Sequence, residues 1–330
     1  MPKRVAVAGA GGFIGHHLVK YLKSEGYWVR GADVKMPEFE STGADEFMLL
    51  DLREPDACVE ATSGVDEVYQ LAADMGGIGY ITAFHADVAR NNVLINAHML
   101  EAARRNRVGR YFYSSSACIY PMYRQEDADV TPLKEGDAYP ADPEEGYGWE
   151  KLYAEKLCEY YTAEGKVETR VARFHNIYGP LGTYEGGREK APAAICRKVS
   201  LTHDGDEVEI WGDGSQTRSF TYIDDCVEGI HRIMRSDHAT PLNLGSDELV
   251  SVDQLVDIVC DAAGKSLVKR HDTSKPQGVR GRNSDNALAM RILGWAPSTS
   301  LTTGIAATYR WISSELERAG TAAAAAAASR

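Results

Sequence analysis

Short apolar runs alternate with longer stretches of helical periodicity along the first 175 residues of the chain. Arg4–Ala8 is an apolar run that ends in glycines, and Ile14, Leu18 and Leu22 then recur at helical spacing. Residues 27–33, 67–73, Arg110–Ser116 and residues 169–174 read as further strands. Residues 87–107 carry Val88, Leu94, Ile95, Met99 and Leu100 at the period of a long helix. Strands alternating with helices predict an α/β fold, a doubly wound parallel sheet covered on both faces.

Beyond residue 176 the punctuation changes. Gly179, Pro180, Gly182, Gly186 and Gly187 crowd one stretch, and helical patterns return over residues 224–235 and Val252–Ala263. The pattern predicts that residues 1–175 mainly form one domain and residues 176–330 mainly a smaller α/β lobe. The two interleave without a clean linker, and some later segments return to the first domain. Residues 320–330 form an alanine-rich tail, a composition that favours helix.

Charge and cysteine usage narrow the function classes. The 330 residues hold 36 Lys+Arg against 48 Asp+Glu, a formal charge of −12. That balance disfavours broad binding to nucleic acid or to an anionic membrane surface. No apolar run is long enough for a membrane span, and the N-terminal MPKRVAVAGAGG is too short for a signal-peptide core. The six cysteines lie at least 30 residues apart, which fits neither a zinc site nor a disulfide framework. A reducing, cytoplasmic setting is the expectation.

Chemistry first shows at Gly9-Ala10-Gly11-Gly12-Phe13-Ile14-Gly15, between a predicted strand and a predicted helix. Gly9 permits a tight turn, Gly12 an approach of backbone to a pyrophosphate, and Gly15 close packing of helix on sheet. The helix start, at Phe13 and Ile14, offers N–H donors to the same phosphates. Asp33 follows Gly15 by 18 residues at the end of the second predicted strand. Its carboxylate would accept from a ribose 2′-OH and repel a 2′-phosphate, which favours NAD over NADP, with Lys35 nearby as a counterweight. Asp51 and Leu52 are candidates for an adenine edge.

A second constellation is Tyr147-Gly148-Trp149-Glu150-Lys151. Tyrosine and lysine four apart on a helix face the same way. An ammonium there is expected to lower the phenol pKa, so that the phenolate takes a proton from an alcohol. Ser114-Ser115-Ser116 ends the fourth predicted strand, where a hydroxyl such as Ser116 can hold the reacting oxygen.

These parts, in this order, resemble the extended short-chain dehydrogenase/reductase family, which works on nucleotide sugars. The family's Rossmann-type fold with a smaller substrate lobe is therefore expected. Arg173-Phe174-His175-Asn176-Ile177-Tyr178-Gly179-Pro180 resembles the family's link into that lobe, which puts Asn176 at the sugar or its diphosphate. The family's 4,6-dehydratases carry Thr-Asp-Glu where this chain has Ser116, Ala117 and Cys118, so dehydration is disfavoured. A cysteine there suits removal of a proton from a carbon beside a ketone.

Three further segments are similar to the branch of this family that 3,5-epimerises GDP-mannose. They are Gly186-Gly187-Arg188-Glu189-Lys190-Ala191-Pro192, Trp211-Gly212-Asp213-Gly214 with Gln216-Thr217-Arg218, and Arg280-Gly281-Arg282-Asn283-Ser284. The resemblance implies Cys118 and Lys190 as the acid–base pair, with Tyr147, Lys151 and Ser116 serving oxidation at C4. It implies substrate contacts at Gly76, Ser116, Asn176, Glu189, Lys190, Lys198, Gln216, Arg218, Arg280 and Ser284. Arg280 and Arg282 are expected to fork onto the GDP diphosphate, and both Cys118 and Lys190 to be tuned toward neutrality. His175 reads as a packed histidine, not a metal ligand, and no metal is expected. A homodimer is implied, with the helix over residues 92–107 as a candidate interface.

Two rival readings remain open at the level of sequence. One is an NADPH-dependent epimerase-reductase acting on GDP-4-keto-6-deoxymannose. Asp33 counts against it, as does Leu181-Gly182-Thr183 where that enzyme places a histidine. The other is a non-catalytic NAD-binding sensor, which would have no reason to keep Ser116, Tyr147 and Lys151 together.

Overall fold

The computed structural model describes residues 2–275 and 277–328. Seven strands form one all-parallel sheet. In chain order they are β1 (Arg4–Ala8), β2 (Trp28–Asp33), β3 (Glu46–Leu49), β4 (Glu67–Gln70), β5 (Arg110–Ser116), β6 (Glu168–Phe174) and, much later, Leu242–Leu244. The spatial order is Leu242–Leu244, β6, β5, β4, β1, β2, β3. The order therefore reverses beside β1, which opens a crevice at the carboxyl ends of β1 and β4.

The central strand shows why the sheet is covered on both sides. Val5 and Val7 point into one apolar cluster and Ala6 and Ala8 into the other, and all four are buried. Helices α1 (Phe13–Ser24), α2 (Pro55–Ala61), the short α3 (Ile78–Ala83), α4 (His85–Arg105) and α5 (Tyr147–Ala163) come from the first half. Leu18, Val19 and Leu22 of α1 pack on the Val5/Val7 face, and Ile95, Met99 and Leu100 of α4 on the other. α4 begins two residues before its predicted start, and strand β4 stops at Gln70, three residues before its predicted end. Gln70 itself ends the strand by turning its side chain onto the Ala72 backbone.

The later half supplies α6 (Ala191–Leu201), α7 (Ile223–Arg235), α8 (Val252–Ala263), α9 (Ala287–Leu293) and α10 (Leu301–Ala328). Helix α7 lies against α1, with Ile223, Cys226, Val227 and Ile230 in the core of the main sheet. A separate core joins Ile195, Val199, Val208, Ile210, Leu255, Val259, Leu301 and Ile305. Small pairings brace this region: Ile177–Tyr178 with Thr221–Tyr222, Val268–Asp272 with Glu207–Trp211, and Thr217–Ser219 flanked by Leu249–Ser251 and Gly281–Arg282. The backbone of α10 carries the alanine-rich tail to Ala328; the last two residues of the predicted tail lie outside the described residues. No described helix is long and apolar enough to cross a membrane.

Candidate active site

The glycine loop joins β1 to α1 under close steric control. Gly9 has φ +84°, and a Cβ there would lie 2.7 Å from the Ala72 nitrogen. A Cβ at Gly15 would lie 2.0 Å from the Gly9 carbonyl oxygen. Gly12 differs: its Cβ would meet only the Gly9 oxygen, at 3.3 Å. The missing side chain at Gly12 thus relieves little inside the protein and leaves room for a ligand. Gly12 is the N-cap of α1 and offers no side-chain cap, so the N–H groups of Phe13 and Ile14 lack partners within the helix. A cradle of backbone donors at a helix N-terminus fits a dinucleotide pyrophosphate.

Asp33 does more than face a ribose. Its Oδ2 accepts the Gly11 N–H at 2.9 Å, so the carboxylate also fixes the loop. Burial pushes its pKa up, against the bonds from Gly11 and Lys35. Asp51 is tied to Arg53, while Leu52 is buried in the sheet core.

Strand β5 delivers the reacting groups. It ends at Ser116, whose Oγ accepts the Cys118 N–H at 3.2 Å and caps a single tight turn, Ala117–Ile119. That turn sets Cys118 under the start of α5. The Glu144 N–H bonds the Cys118 carbonyl at 3.0 Å, and a Cβ at Gly148 would lie 2.4 Å from the same oxygen. The glycine after Tyr147 therefore lets α5 press onto Cys118. Cys118, Tyr147, Val88, Met75 and Tyr80 share one small cluster. Lys151 is 1% exposed, donates to the Ser114 carbonyl at 3.0 Å, and lies 5.5 Å from the centre of the Tyr147 ring.

The ionisation of these groups corrects the sequence expectation. Burial pushes the Tyr147 phenol well above its ordinary range, joined by the charges of Cys118 and Glu150, with only the Ser116 hydroxyl pulling down among the leading contributions. Lys151 is itself pushed down by burial. Lys190 moves down as expected, through burial, but Cys118 moves up, through burial and then the Glu144 carboxylate.

Lys190 is the N-cap of α6, half-buried, and sits close enough to Cys118 for the two charges to act on one another. Two glycine-rich segments meet in front of it. The Gly77 N–H bonds the Arg188 carbonyl at 3.0 Å, and a Cβ at Gly77 would lie 2.5 Å from the Glu189 oxygen. The Arg188 guanidinium stacks 3.9 Å over the Tyr80 ring and lies 3.7 Å from Asp74, which also accepts from the Tyr80 hydroxyl. Gly76 is buried in this segment, and the Glu189 carboxylate accepts the Gly187 N–H at 2.7 Å.

The remaining expected contacts divide. Asn176, at φ +43°, anchors to the Ser219 carbonyl at the junction of the two regions. Arg218 bonds the Thr217 and Val279 carbonyls, and its charge is felt at Cys118 and Glu144. Lys198 donates to the Glu209 carbonyl, and Gln216 donates to that of Trp211 while its Oε1 is buried without a partner among the described residues. Arg280 is engaged at the surface by Asp213 and Ser215, and Ser284 is fully buried, bonding Asn286. Arg282, which the sequence reading puts at a diphosphate, is engaged by side chains inside the protein. It is 5% exposed, paired with Glu144, bonded to Gln125 at 2.6 Å, and 3.5 Å from the Cys118 sulfur. Strand Gly281–Arg282 holds it there by pairing with Thr217–Ser219.

Sequence reasoning missed Glu144, Gln125 and Glu150. Glu150, between Trp149 and Lys151, accepts from Asn92 and Asn96 of α4, and burial pushes its carboxyl up to about 7. No spacing rule marks any of the three, because the side chains that draw them to the site, Arg282 for Glu144 and Gln125 and the Asn92–Asn96 pair for Glu150, lie far away in the chain.

Comparison with known proteins agrees with this geometry. Residues 5–245 match the NAD dependent epimerase/dehydratase family. GDP-mannose 3,5-epimerase 1 of Oryza sativa subsp. japonica is 51% identical, over 96% of this chain and 83% of its own. GDP-mannose 3,5-epimerase of Arabidopsis thaliana is 49% identical over the same shares of 96% and 83%. GDP-L-fucose synthase of Sinorhizobium fredii is 30% identical, over 93% and 94%. Among solved structures, a UDP-glucose 4-epimerase of Thermotoga maritima with UDP-glucose superposes with a TM-score of 0.83 at 25% identity, covering 95% and 99%. MoeE5 in complex with UDP-glucose and NAD gives 0.81 at 28%, also covering 95% and 99%. A nucleotide cradle, a Ser–Tyr–Lys set and these likenesses together place the chain in the NAD-dependent epimerase/dehydratase family of extended short-chain dehydrogenase/reductases, as an isomerase that uses NAD.

Proposed function

We propose that this protein converts GDP-D-mannose to GDP-L-galactose by inverting C3 and C5, and forms GDP-L-gulose when C5 alone inverts. The observation that carries the reading is Cys118, held in one pocket with Ser116 and Tyr147 and within electrostatic reach of Lys190. A thiol and an ammonium beside an oxidising Tyr–Lys pair suit carbon-acid chemistry, and the names of the rice and Arabidopsis relatives support the substrate. Gly9, Gly12, Phe13, Ile14, Gly15 and Asp33 would hold NAD, with Asp51 and Leu52 at the adenine end and Tyr147 and Lys151 at the reacting end. Bound there, NAD supplies a reversible acceptor for the hydride of C4.

The chain's own groups do the rest. Tyr147 takes the proton of the C4 hydroxyl, with Ser116 pulling its phenol down and Lys151, anchored on the Ser114 carbonyl, 5.5 Å from its ring centre. The resulting ketone acidifies the hydrogens on C3 and C5. Cys118, once ionised to the thiolate, removes a proton from one face, and Lys190, as its ammonium, returns one from the other. Ser116 and Tyr147 donate to the enediolate oxygen formed between those steps. Gly76, Asn176, Glu189, Lys198, Gln216, Arg218, Arg280 and Ser284 are the proposed substrate set, with Arg280 and Ser284 needing rearrangement to reach it. C4 ends as it began, so turnover needs no external reductant.

The epimerase-reductase alternative has weaker support, since its representative is 30% identical against 51% for the epimerase. A sensor module would leave the Cys118, Tyr147 and Lys151 arrangement without a use. The deciding experiment is incubation of the purified protein with GDP-mannose in deuterated water, followed by NMR. Deuterium at C3 and C5 with L-sugar products and no added reductant is expected; an unlabelled, unchanged sugar would sink the reading.

A homodimer in a reducing cytoplasm completes the proposal. Its support is the side-by-side packing of α4 and α5, the exposed Trp149, Tyr153 and Tyr160 on α5, and six free cysteines. Light scattering of the purified protein at the mass of one chain would refute the dimer.

A further inference from the structure

Cys118 lies between opposite charges of unequal standing. On the cationic side, the Arg282 Nη1 lies 3.5 Å from its sulfur. On the anionic side, Glu144 holds the Cys118 carbonyl through its backbone and the other end of Arg282 through its carboxylate. The three residues form a closed triangle of thiol, guanidinium and carboxylate, with Arg282 5% exposed. Gln125 fixes the third edge of the guanidinium, through Nε at 2.6 Å. The arginine therefore has little freedom to turn toward one partner and away from the other.

We propose that Glu144 is a positioning residue for Cys118: it neutralises Arg282 and keeps the resting sulfur as a thiol. A bare guanidinium in contact with a buried sulfur would favour the thiolate. Glu144 cancels much of that field and adds an anion of its own. The other groups facing Cys118 are known. They are Ser116 at the end of β5, Tyr147 and Lys151 on α5, Tyr80 on α3, Lys190 before α6 and Arg218 on the strand Thr217–Ser219. Glu144 is the only carboxylate among the leading influences on the sulfur. Burial works against its charge, yet Arg282 and the Cys118 thiol hold its carboxyl below the usual range. It is thus ionised wherever the protein is folded near neutrality.

The effect on turnover rests on the reading of Cys118 as the proton-abstracting group; the effect on the sulfur does not. The test has two arms. Thiolate absorbance near 240 nm is titrated as the difference between each protein and the same protein carrying Cys118→Ser, which isolates this one sulfur. Glu144→Gln is expected to move the midpoint down by about 1 pH unit or more, the usual size for a neighbouring buried charge. Glu144→Asp, which keeps the charge, is expected to titrate close to the unmodified protein. An unmoved or raised midpoint in Glu144→Gln would overturn the proposal. Should that variant not fold, Glu144→Gln/Arg282→Gln is compared with Arg282→Gln alone, and the double variant must titrate lower. The second arm is the pH profile of deuterium exchange into GDP-mannose. Its acid limb should move down in Glu144→Gln in step with the sulfur. A sulfur that moves while the exchange profile stays fixed would uphold the role of Glu144 and refute Cys118 as the base.

Discussion

Tyr147 and Cys118 illustrate how one small pocket gives two residues separable duties. Tyr147 is 4% exposed and pressed against Cys118 by Gly148, so a change at either is felt at the same sugar. Cys118→Ala should leave NAD binding intact and reduce exchange at C3 and C5 by about 10²–10⁴-fold, the usual loss for one acid–base group. Full activity in that variant would make Cys118 a packing residue. Tyr147→Phe should suppress exchange as well, because oxidation at C4 comes first. Exchange that survives in Tyr147→Phe, followed by NMR, would mean that C4 is not the oxidised centre. The types at these positions were legible in the sequence, because strand end, serine run and YxxxK spacing are local. Their charge states were not. Burial and Glu144, which precedes Tyr147 by only three residues but acts through Arg282, reverse the expected shift of the sulfur.

Among the elements, the meeting of the segment before α3 with the segment before α6 has the most direct consequence. Neither segment is regular, and each is glycine-rich, so neither holds a shape by itself. Arg188 ties them together by stacking on Tyr80, approaching Asp74 and accepting at its carbonyl from Gly77. Asn92 of α4 in turn holds Asp74, accepting its N–H at 2.6 Å and donating to its carbonyl, and also bonds Glu150 of α5. The helix bearing Tyr147 and the loop bearing Lys190 are thereby connected. Arg188→Ala should raise KM for GDP-mannose by about 2- to 30-fold, the equivalent of an exposed to partly desolvated cation–π contact. NAD affinity, read by fluorescence quenching, should stay unchanged. A loss confined to kcat would show that Arg188 acts on the chemistry and not on the segment that receives the sugar. The resemblance to the family placed Gly76 at the substrate; that Gly77 beside it closes on Glu189 depends on a crossing of 112 positions in sequence, which periodicity does not encode.

For the whole molecule, the join between the two regions carries a pH signature. His175 is fully buried, with Nε2 bonded to Asn243 Oδ1 at 3.1 Å and its carbonyl taking the Thr221 hydroxyl. Burial pushes its pKa down to about 3, with the Arg282 and Arg173 charges adding to the fall. An unfolded chain takes up a proton here below about pH 6.5, and the folded chain does not. Stability from this site is therefore intact above about pH 6.5 and declines as the pH falls toward 3. At pH 5 the loss is about 2 kcal/mol, from roughly 1.4 kcal/mol per unit. Calorimetry at pH 7.5 and pH 5 should show a falling Tm, and His175→Gln should flatten the slope. An equal slope in that variant would place the acid sensitivity elsewhere. Arg173 adds a second tie nearby, clamping Glu155 through two nitrogens while both side chains are buried. Arg173→Ala should cost about 3–5 kcal/mol in chemical denaturation, since it strands a buried carboxylate; a loss below 1 kcal/mol would show that water replaces the guanidinium.

Reading along the chain was enough for the alternation of strands and helices, the glycine loop, the Ser–Tyr–Lys order and the lack of an apolar run long enough for a membrane-spanning helix. All of these rest on residue type and spacing within single segments, and on the order of those segments along the chain, where local geometry acts. Tertiary structure alone decided that Leu242–Leu244 pairs with β6, that Arg282 serves Cys118 and Glu144, and that Ser284 is buried. Those facts arise where segments from 70 to 164 residues apart share one desolvated space. There, burial and the sum of nearby charges fix what each side chain can do.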